Sequence, residues 1–286
     1  MRMRHLLITG AFLFAAAVGC GGDDGDADAA SRAKANRFNA TGAYGSVKRQ
    51  VELGPRPAGS AASRKLSERI RRALPRGRFE AVRGGLRNVV GTVPGKTKRV
   101  VVIGAHYDTK DIPGFVGAND GASGTAILTQ LARTIKPRRI KPTVVFIAFD
   151  GEENPPGRPD DEFERYALRG SKAIAPKYRR AEAMILLDFV GEKGLRIPRE
   201  GNSDIALWRK LRAAARRAGV ARVFPDDTQG SISDDHLPFI RRGVPSIDLI
   251  DFDFACFHRR CDDLSQISKK SLDAVGETMM RLLPRL

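Results

Sequence analysis

The chain has 286 residues, with 50 Lys or Arg against 33 Asp or Glu and a formal net charge of +17. That length suits one sizeable domain following a short leader. A basic balance often marks a nucleic-acid binder, but no helix here concentrates basic residues among aromatics. Nucleic acid is therefore not an expected partner, and an Arg-rich solvated face near anionic lipid or cell wall is expected instead.

Residues 1–5 are basic and residues 6–18 form an apolar run too short to span a bilayer as a stable helix. Small residues follow up to Cys20, which is the layout of an export signal. The cysteine directly after them resembles a bacterial lipobox. The resemblance implies a signal peptide over 1–19, a mature chain starting at a lipid-bearing Cys20, and anchorage on the extracytoplasmic side of a bacterial membrane. A cleaved or uncleaved ordinary signal is the plainer alternative. Residues 20–40, rich in Gly, Asp and Ala at their start, read as a flexible tether, and 41–286 as a single folded domain.

Residues 60–74 predict a helix with Leu66, Ile70 and Leu74 on one face, ended by Pro75 and Gly77. Residues 88–93 and 99–105 are β-branched runs separated by Pro94-Gly95, which predicts two adjacent strands joined by a turn. Further helices are predicted over 122–135, 204–218 and 272–283, and strands over 144–149, 183–189 and 246–250. Trp208 reads as a packing residue. Strands alternate with helices and lack period-two alternation, which predicts a three-layer α/β/α sandwich around a mostly parallel, mixed sheet.

Ligands of such sheets bind beyond the carboxyl ends of the strands. His106 and Asp108, Asp150 with Glu152 and Glu153, and Asp188 fall at three such ends. The adjacent carboxylates Glu152 and Glu153, after a buried apolar strand, repel each other unless a cation intervenes. Such a cation would take one as ligand and leave the other as a base. His106 could be a ligand oriented by Asp108. Asp120 lies in a Gly-rich segment before a helix, where a simple N-cap is the plain alternative. The histidines after residue 20 are His106, His236 and His258, each in a loop beside acidic residues. Cys256 and Cys261 form a disulfide candidate outside the cytoplasm, with thiolate metal ligation as the rival.

Gly104-Ala-His-Tyr-Asp-Thr109, Gly117-Ala-Asn-Asp-Gly-Ala-Ser-Gly124, Phe149-Asp-Gly-Glu-Glu153, Leu187-Asp-Phe-Val-Gly191 and Phe257-His258 together resemble the ordered motifs of the zinc exopeptidase family, which includes bacterial aminopeptidases and glutaminyl cyclases. The resemblance implies two zinc ions: His106 and Asp188 on one, Glu153 and His258 on the other, and Asp120 bridging. Glu152 would be the general base and Asp108 the partner of His106. The stretch 233–245 resembles the cyclase branch, for which one zinc held by Asp120, Glu153 and His258 is implied, with Asp188 and Asp234 positioning substrate. Against cyclisation stand Phe257 and Asp248, where that branch has a tryptophan and tends to have a histidine. His236 is expected to support Asp234 or Asp235, and the cysteine pair to fix the loop of His258. An aminopeptidase acting on peptide or protein N-termini as a monomer is the favoured expectation, a glutaminyl-peptide cyclotransferase the second. A lipid-anchored binding protein without activity is the third. The segment 154–164 is expected either as a rim over the site or as a plain surface loop.

Overall fold

Residues 37–286 are described by the structure, a computed structural model. The expected signal over 1–19, the lipidation site Cys20 and tether residues 20–36 lie outside the described residues. Packing begins at Phe38, within the stretch read as tether. Its ring is buried against Gly276, where an added Cβ would lie 2.3 Å from it.

In chain order the elements are α1 (Ala40–Val51), α2 (Ala61–Ala73), β1 (Arg78–Val82), β2 (Leu86–Val93), β3 (Val100–His106), α3 (Ala122–Thr134) and β4 (Thr143–Phe149). After them come α4 (Phe163–Tyr166), α5 (Arg169–Ile174), β5 (Ala183–Leu187), α6 (Ile205–Ala218), α7 (Leu237–Ile240), β6 (Ser246–Leu249) and α8 (Lys269–Leu282). Side-chain caps start α1, α2, α6 and α8: Asn39, Ser60, Asp204 and Ser268 each accept a backbone N–H from the first turn, whereas α3 starts at Gly121 without one. The predicted helices and strands appear within a few residues of their expected bounds.

The sheet order is β1-β2-β4-β3-β5-β6, with β1, β2 and β4 antiparallel in sequence of pairing and β4, β3, β5 and β6 parallel. This corrects the expectation that β2 and β3 are neighbours, because β4 is inserted between them. The chain after Pro94 crosses the start of β4 instead of turning back on itself. Lys96 and Thr97 donate to the carbonyls of Ile140 and Lys141, and Gly95 packs so closely on Pro142 that a Cβ would sit 2.1 Å from its carbonyl oxygen. A tight hairpin would have needed positive φ at its turn, which Pro94 cannot adopt. β4, apolar after Thr143, gains pairing on both edges by this arrangement.

Alternate side chains of the strands feed two cores. Val101, Ile103 and Ala105 of β3 face α1, α3, α6 and α8, where Trp208 packs as expected. Val102, Phe149 and Met184 face the other layer, with Ile174 and Phe239 from α5 and α7. Gly104 leaves room there for the Phe149 ring, which a Cβ would approach to 2.5 Å. The result is the expected three-layer sandwich, and its three parallel strands β4, β3 and β5 deliver their carboxyl ends to one edge.

Candidate metal centre

His106 ends β3, Glu152 and Glu153 follow β4, and Asp188 follows β5. Asp120 lies in the loop before α3, Asp234 just before α7, and His258 in the loop after β6. All of these side chains converge except for His236, which lies apart from the ligand candidates. His106 Nε2 is 3.2 Å from both Asp120 Oδ1 and Asp188 Oδ1. His258 Nε2 is 3.2 Å from Glu153 Oε1 and 3.6 Å from Asp120 Oδ2. Two groups of possible metal-ligating atoms thus share Asp120, and within each group the atoms lie within 4.8 Å of one another.

The chemistry of these donors suits a cation. One imidazole nitrogen has one hydrogen or one lone pair, so Nε2 of His106 cannot serve two carboxylates by hydrogen bonding alone. Asp120 Oδ2 and both oxygens of Glu153 are buried without a hydrogen-bond partner. Orphaned buried oxygens of this kind are costly unless a positive charge meets them. Nitrogen and oxygen donors at three points around each position match a catalytic zinc site that keeps an open place.

The backbone is built tightly around these ligands. Gly121 has φ +86°, and a Cβ there would lie 2.8 Å from the Asp108 carbonyl oxygen and 3.1 Å from the His106 ring. Phe189 and His258 adopt positive φ, 45° and 51°, an uncommon conformation that clusters at functional sites. His258 is held by its neighbours: its ring stacks on Phe257 at 3.9 Å and meets Phe115 edge-on at 6.1 Å. Cys256 and Cys261 form a disulfide that brackets it. Asp262 follows directly and accepts the amides of Asn119, at 2.7 Å, and Asp120, at 3.0 Å. The loop that carries His258 therefore also fixes Asp120.

Asp108 lies beside His106 and has further partners. Its Oδ1 is 3.8 Å from His106 Nδ1, beyond a hydrogen bond, and its two oxygens accept the amides of Glu152, at 3.2 Å, and Glu153, at 3.3 Å. It orients the carboxylate pair through its backbone. Burial raises the pKa of Glu152 well above the usual carboxylate range, His106 partly opposes this, and Glu153, Asp234 and Asp235 add to it. Burial raises Asp235 to about 7 and lifts Asp234 well above its ordinary value. A buried carboxyl that holds its proton readily is suited to general acid–base work near neutral pH.

A cavity of about 640 Å³ opens above these groups. Its floor includes Asp120, Glu152, Glu153, Asp188, Asp234 and His258, and its apolar wall includes Phe189, Phe252 and Phe257. Ring centroids within that wall lie 5.2–6.4 Å apart. Asp160, Asp161, Phe163 and Glu164 line it too, so the segment 154–164 is a rim and not a detached loop. Glu164 clasps Ser233 and Arg241 across the opening, and Lys110 Nζ bridges Asp160, at 2.7 Å, and Glu153 Oε2, at 3.8 Å.

Several residues escaped the sequence reading. Lys110 and Phe163 carry no motif of their own. Arg56 is completely buried and donates to the carbonyls of Gly54, Val116 and Gly117, pinning the start of the Asp120 loop. Its enclosure between two prolines, Pro55 and Pro57, was the one available signal. His236 does not reach Asp234 or Asp235 by hydrogen bond. Its Nε2 lies 3.2 Å from Glu200 Oε2 and its Nδ1 3.8 Å from Asp248 Oδ2. Burial pushes Glu200 up, but hydrogen bonds from His236 and from the amides of Asn202 and Ile232 hold it at about 2.

Comparisons with known proteins agree with this geometry. The profile of Peptidase family M28 matches residues 88–283. A glutaminyl-peptide cyclotransferase of Drosophila melanogaster is 28% identical over 223 residues, covering 65% of this chain and 61% of its own length. Aminopeptidase YwaD of Bacillus subtilis is 30% identical over 210 residues, covering 66% of this chain and 42% of its own length. The chain thus spans 61% and 42% of the length of these two curated relatives. Among solved structures, an Acidobacteriales bacterium glutaminyl cyclase superposes with a TM-score of 0.76 at 29% identity, covering 86% of this chain and 94% of that one. A leucine aminopeptidase precursor from Bacteroides thetaiotaomicron gives 0.76 at 27%, covering 87% and 98%. The motifs that end β3, β4 and β5, the fold that gathers them and the profile match over most of the domain make this chain a member of Peptidase family M28.

Proposed function

We propose that this protein is a zinc-dependent aminopeptidase that removes N-terminal residues from peptides. The observation that carries the reading is Asp120, whose Oδ1 faces His106 and whose Oδ2 faces His258, so that one carboxylate joins two ligand sets. His106, Asp120 and Asp188 would hold one zinc, and Asp120, Glu153 and His258 a second. Zinc bound there supplies Lewis acidity, lowering the pKa of water and polarising the scissile carbonyl.

This chain's own residues do the rest. Glu152 takes the proton from the attacking water and hands it to the departing amine, from a place on the cavity beside Glu153. Asp108 holds Glu152 in place through its amide. Asp234, with Oδ2 unpartnered in the cavity wall, accepts a hydrogen bond from the substrate's α-ammonium group. The Phe189, Phe252 and Phe257 wall receives an apolar side chain. Export and lipid on Cys20 would place this activity in the cell envelope.

A second reading, glutaminyl-peptide cyclisation with one zinc on Asp120, Glu153 and His258, is favoured by that aromatic wall. An apolar pocket that excludes water protects cyclisation from competing hydrolysis. Glu152 would then carry a proton from the α-amine to the leaving ammonia. Mass spectrometry of zinc-loaded protein with two peptides, one beginning in leucine and one in glutamine, separates the two. Loss of the first residue supports the peptidase, and loss of ammonia alone above the spontaneous rate supports the cyclase. Glu152→Gln is expected to abolish either activity with zinc content unchanged, and retained turnover in that variant removes Glu152 from the mechanism.

A further inference from the structure

Glu200 lines no part of the cavity, yet it grips the loop that does. It is fully buried at the start of the turn before α6. Its base is fixed by strand-like pairing: Arg199 donates to the Asp227 carbonyl at 3.0 Å, Gln229 to that of Arg199 at 2.9 Å, and Gly201 to that of Gly230 at 3.1 Å. From there the carboxylate reaches two points on the cavity loop. Oε1 accepts the Ile232 amide at 2.9 Å, and Oε2 meets His236 Nε2 at 3.2 Å. These anchors lie two residues before and two residues after Asp234.

A carboxylate of this kind only accepts, so His236 presents Nε2–H to it. Ser203 Oγ also donates to Oε2, at 3.0 Å, and accepts the Asp248 amide at 3.0 Å, which ties the clamp to β6. Asp234 itself has one oxygen on the Asp235 amide, at 2.5 Å, and one buried oxygen without a partner in the cavity wall. Its backbone carbonyl accepts the Leu237 amide at 2.9 Å. The bracketing contacts at Ile232 and His236 hold the loop on either side of that bond.

We infer that Glu200 is a positioning residue, acting through the Ile232 amide and the His236 ring to hold the Asp234 carboxylate where a substrate's α-amine arrives. The inference rests on the reading of Asp234 as an amine-binding group. A residue that sets the position of a contact group within a fraction of an ångström controls how well the substrate is aligned.

A double-mutant cycle with Glu200→Gln and Asp234→Asn tests it. The cycle is read on kcat/KM for the peptide that the wild type turns over, and on the Kd of the same peptide in a Glu152→Gln background. Glu200→Gln keeps an acceptor for the Ile232 amide but turns an NH2 group toward His236. Alone it is expected to lower kcat/KM and to raise Kd, each by about tenfold, and to change each by less than about twofold once Asp234 is Asn. Equal losses in both backgrounds overturn the inference, because a merely structural role would not depend on Asp234. If Glu200→Gln does not fold, His236→Ala and His236→Gln replace it. The glutamine amide can still donate to Glu200, so His236→Gln is expected to recover most of what His236→Ala loses, again only when Asp234 is present. Recovery that ignores Asp234 overturns the inference. A wild type inactive on both peptides refutes the enzymatic reading instead, and the binding cycle then decides on Glu200 alone.

Discussion

Replacing Asp262 by Asn tests whether the disulfide-bracketed loop positions the shared ligand. Asp262 is fully buried, and each of its oxygens accepts one amide, from Asn119 and from Asp120. An asparagine of the same shape keeps one acceptor and turns an NH2 group against the other amide. One buried donor left unsatisfied costs about 1–3 kcal/mol. For a domain of this size that corresponds to a melting temperature lower by roughly 2–10 °C. Because the amides belong to Asp120 and its neighbour, zinc affinity is also expected to fall, by about 10–100-fold as for other partners of metal ligands. Thermal unfolding with and without zinc, together with zinc titration against a competing chelator, measures both effects. An unchanged melting temperature with zinc affinity within about twofold of wild type would refute the argument that this loop holds Asp120.

Arg56→Met, which strips the buried guanidinium from four backbone carbonyls, is expected to cost about 3–5 kcal/mol in urea unfolding; a midpoint equal to wild type contradicts its role. Cys256→Ser with Cys261→Ser opens a short loop, for a loss of about 2 kcal/mol and weaker zinc binding, seen by calorimetry. Burial, followed by a hydrogen bond and charge from Asp251, raises Glu192 to about 9. The folded protein therefore holds a proton that the unfolded chain releases near the ordinary glutamate value, so this contribution to stability is full below that value and is lost as pH rises through about 9. Glu192→Gln is expected to flatten the fall in melting temperature across that window, and an unchanged slope counts against it.

The strands were legible where the sheet buries both faces. The runs behind β3 and β4 are apolar without interruption, and their ends carry His106, Glu152 and Glu153, so the active edge could be read directly. Adjacency could not. Whether β2 pairs with β3 or β4 depends on Gly95 meeting Pro142, a contact across more than forty residues. β1 escaped notice because only Val82 is buried along it, and α1 because its two glycines and polar face blur the helical period. Within the site, side chains embedded in motifs were readable and their supports were not. Asp262, Arg56 and Glu200 act on loops far away in sequence, and a lone Asp, Arg or Glu carries no signal of what it will touch. Asp108 lies beside His106 as expected from their spacing, but its amide partners, 44 and 45 residues away, could not be read.

Charge explains why those supports are needed. Asp108, Asp120, Glu152, Glu153, Asp188, Asp234 and Asp235 are all buried around one cavity. The protein's +17 net charge offers them little, because surface charges are screened over about 8–10 Å of salt water while desolvation acts locally. Each must be balanced in place. Asp108 is balanced by two amides, and Arg56 lies close enough to Asp120, Asp262 and Asp108 to act on all three electrostatically. Asp120 and Glu153 keep unpartnered oxygens, and those are the two that fall within reach of a histidine nitrogen and of each other. Burial raises Glu153, Asp234 and Asp235 alike, and Asp234 Oδ2 and both oxygens of Asp235 also lack a hydrogen-bond partner. Glu153 differs from Asp234 and Asp235 in position, because its carboxylate lies with Asp120 and His258 in one group of possible ligand atoms. On the proposed reading that position would give Glu153 to the metal and leave Glu152 for the proton.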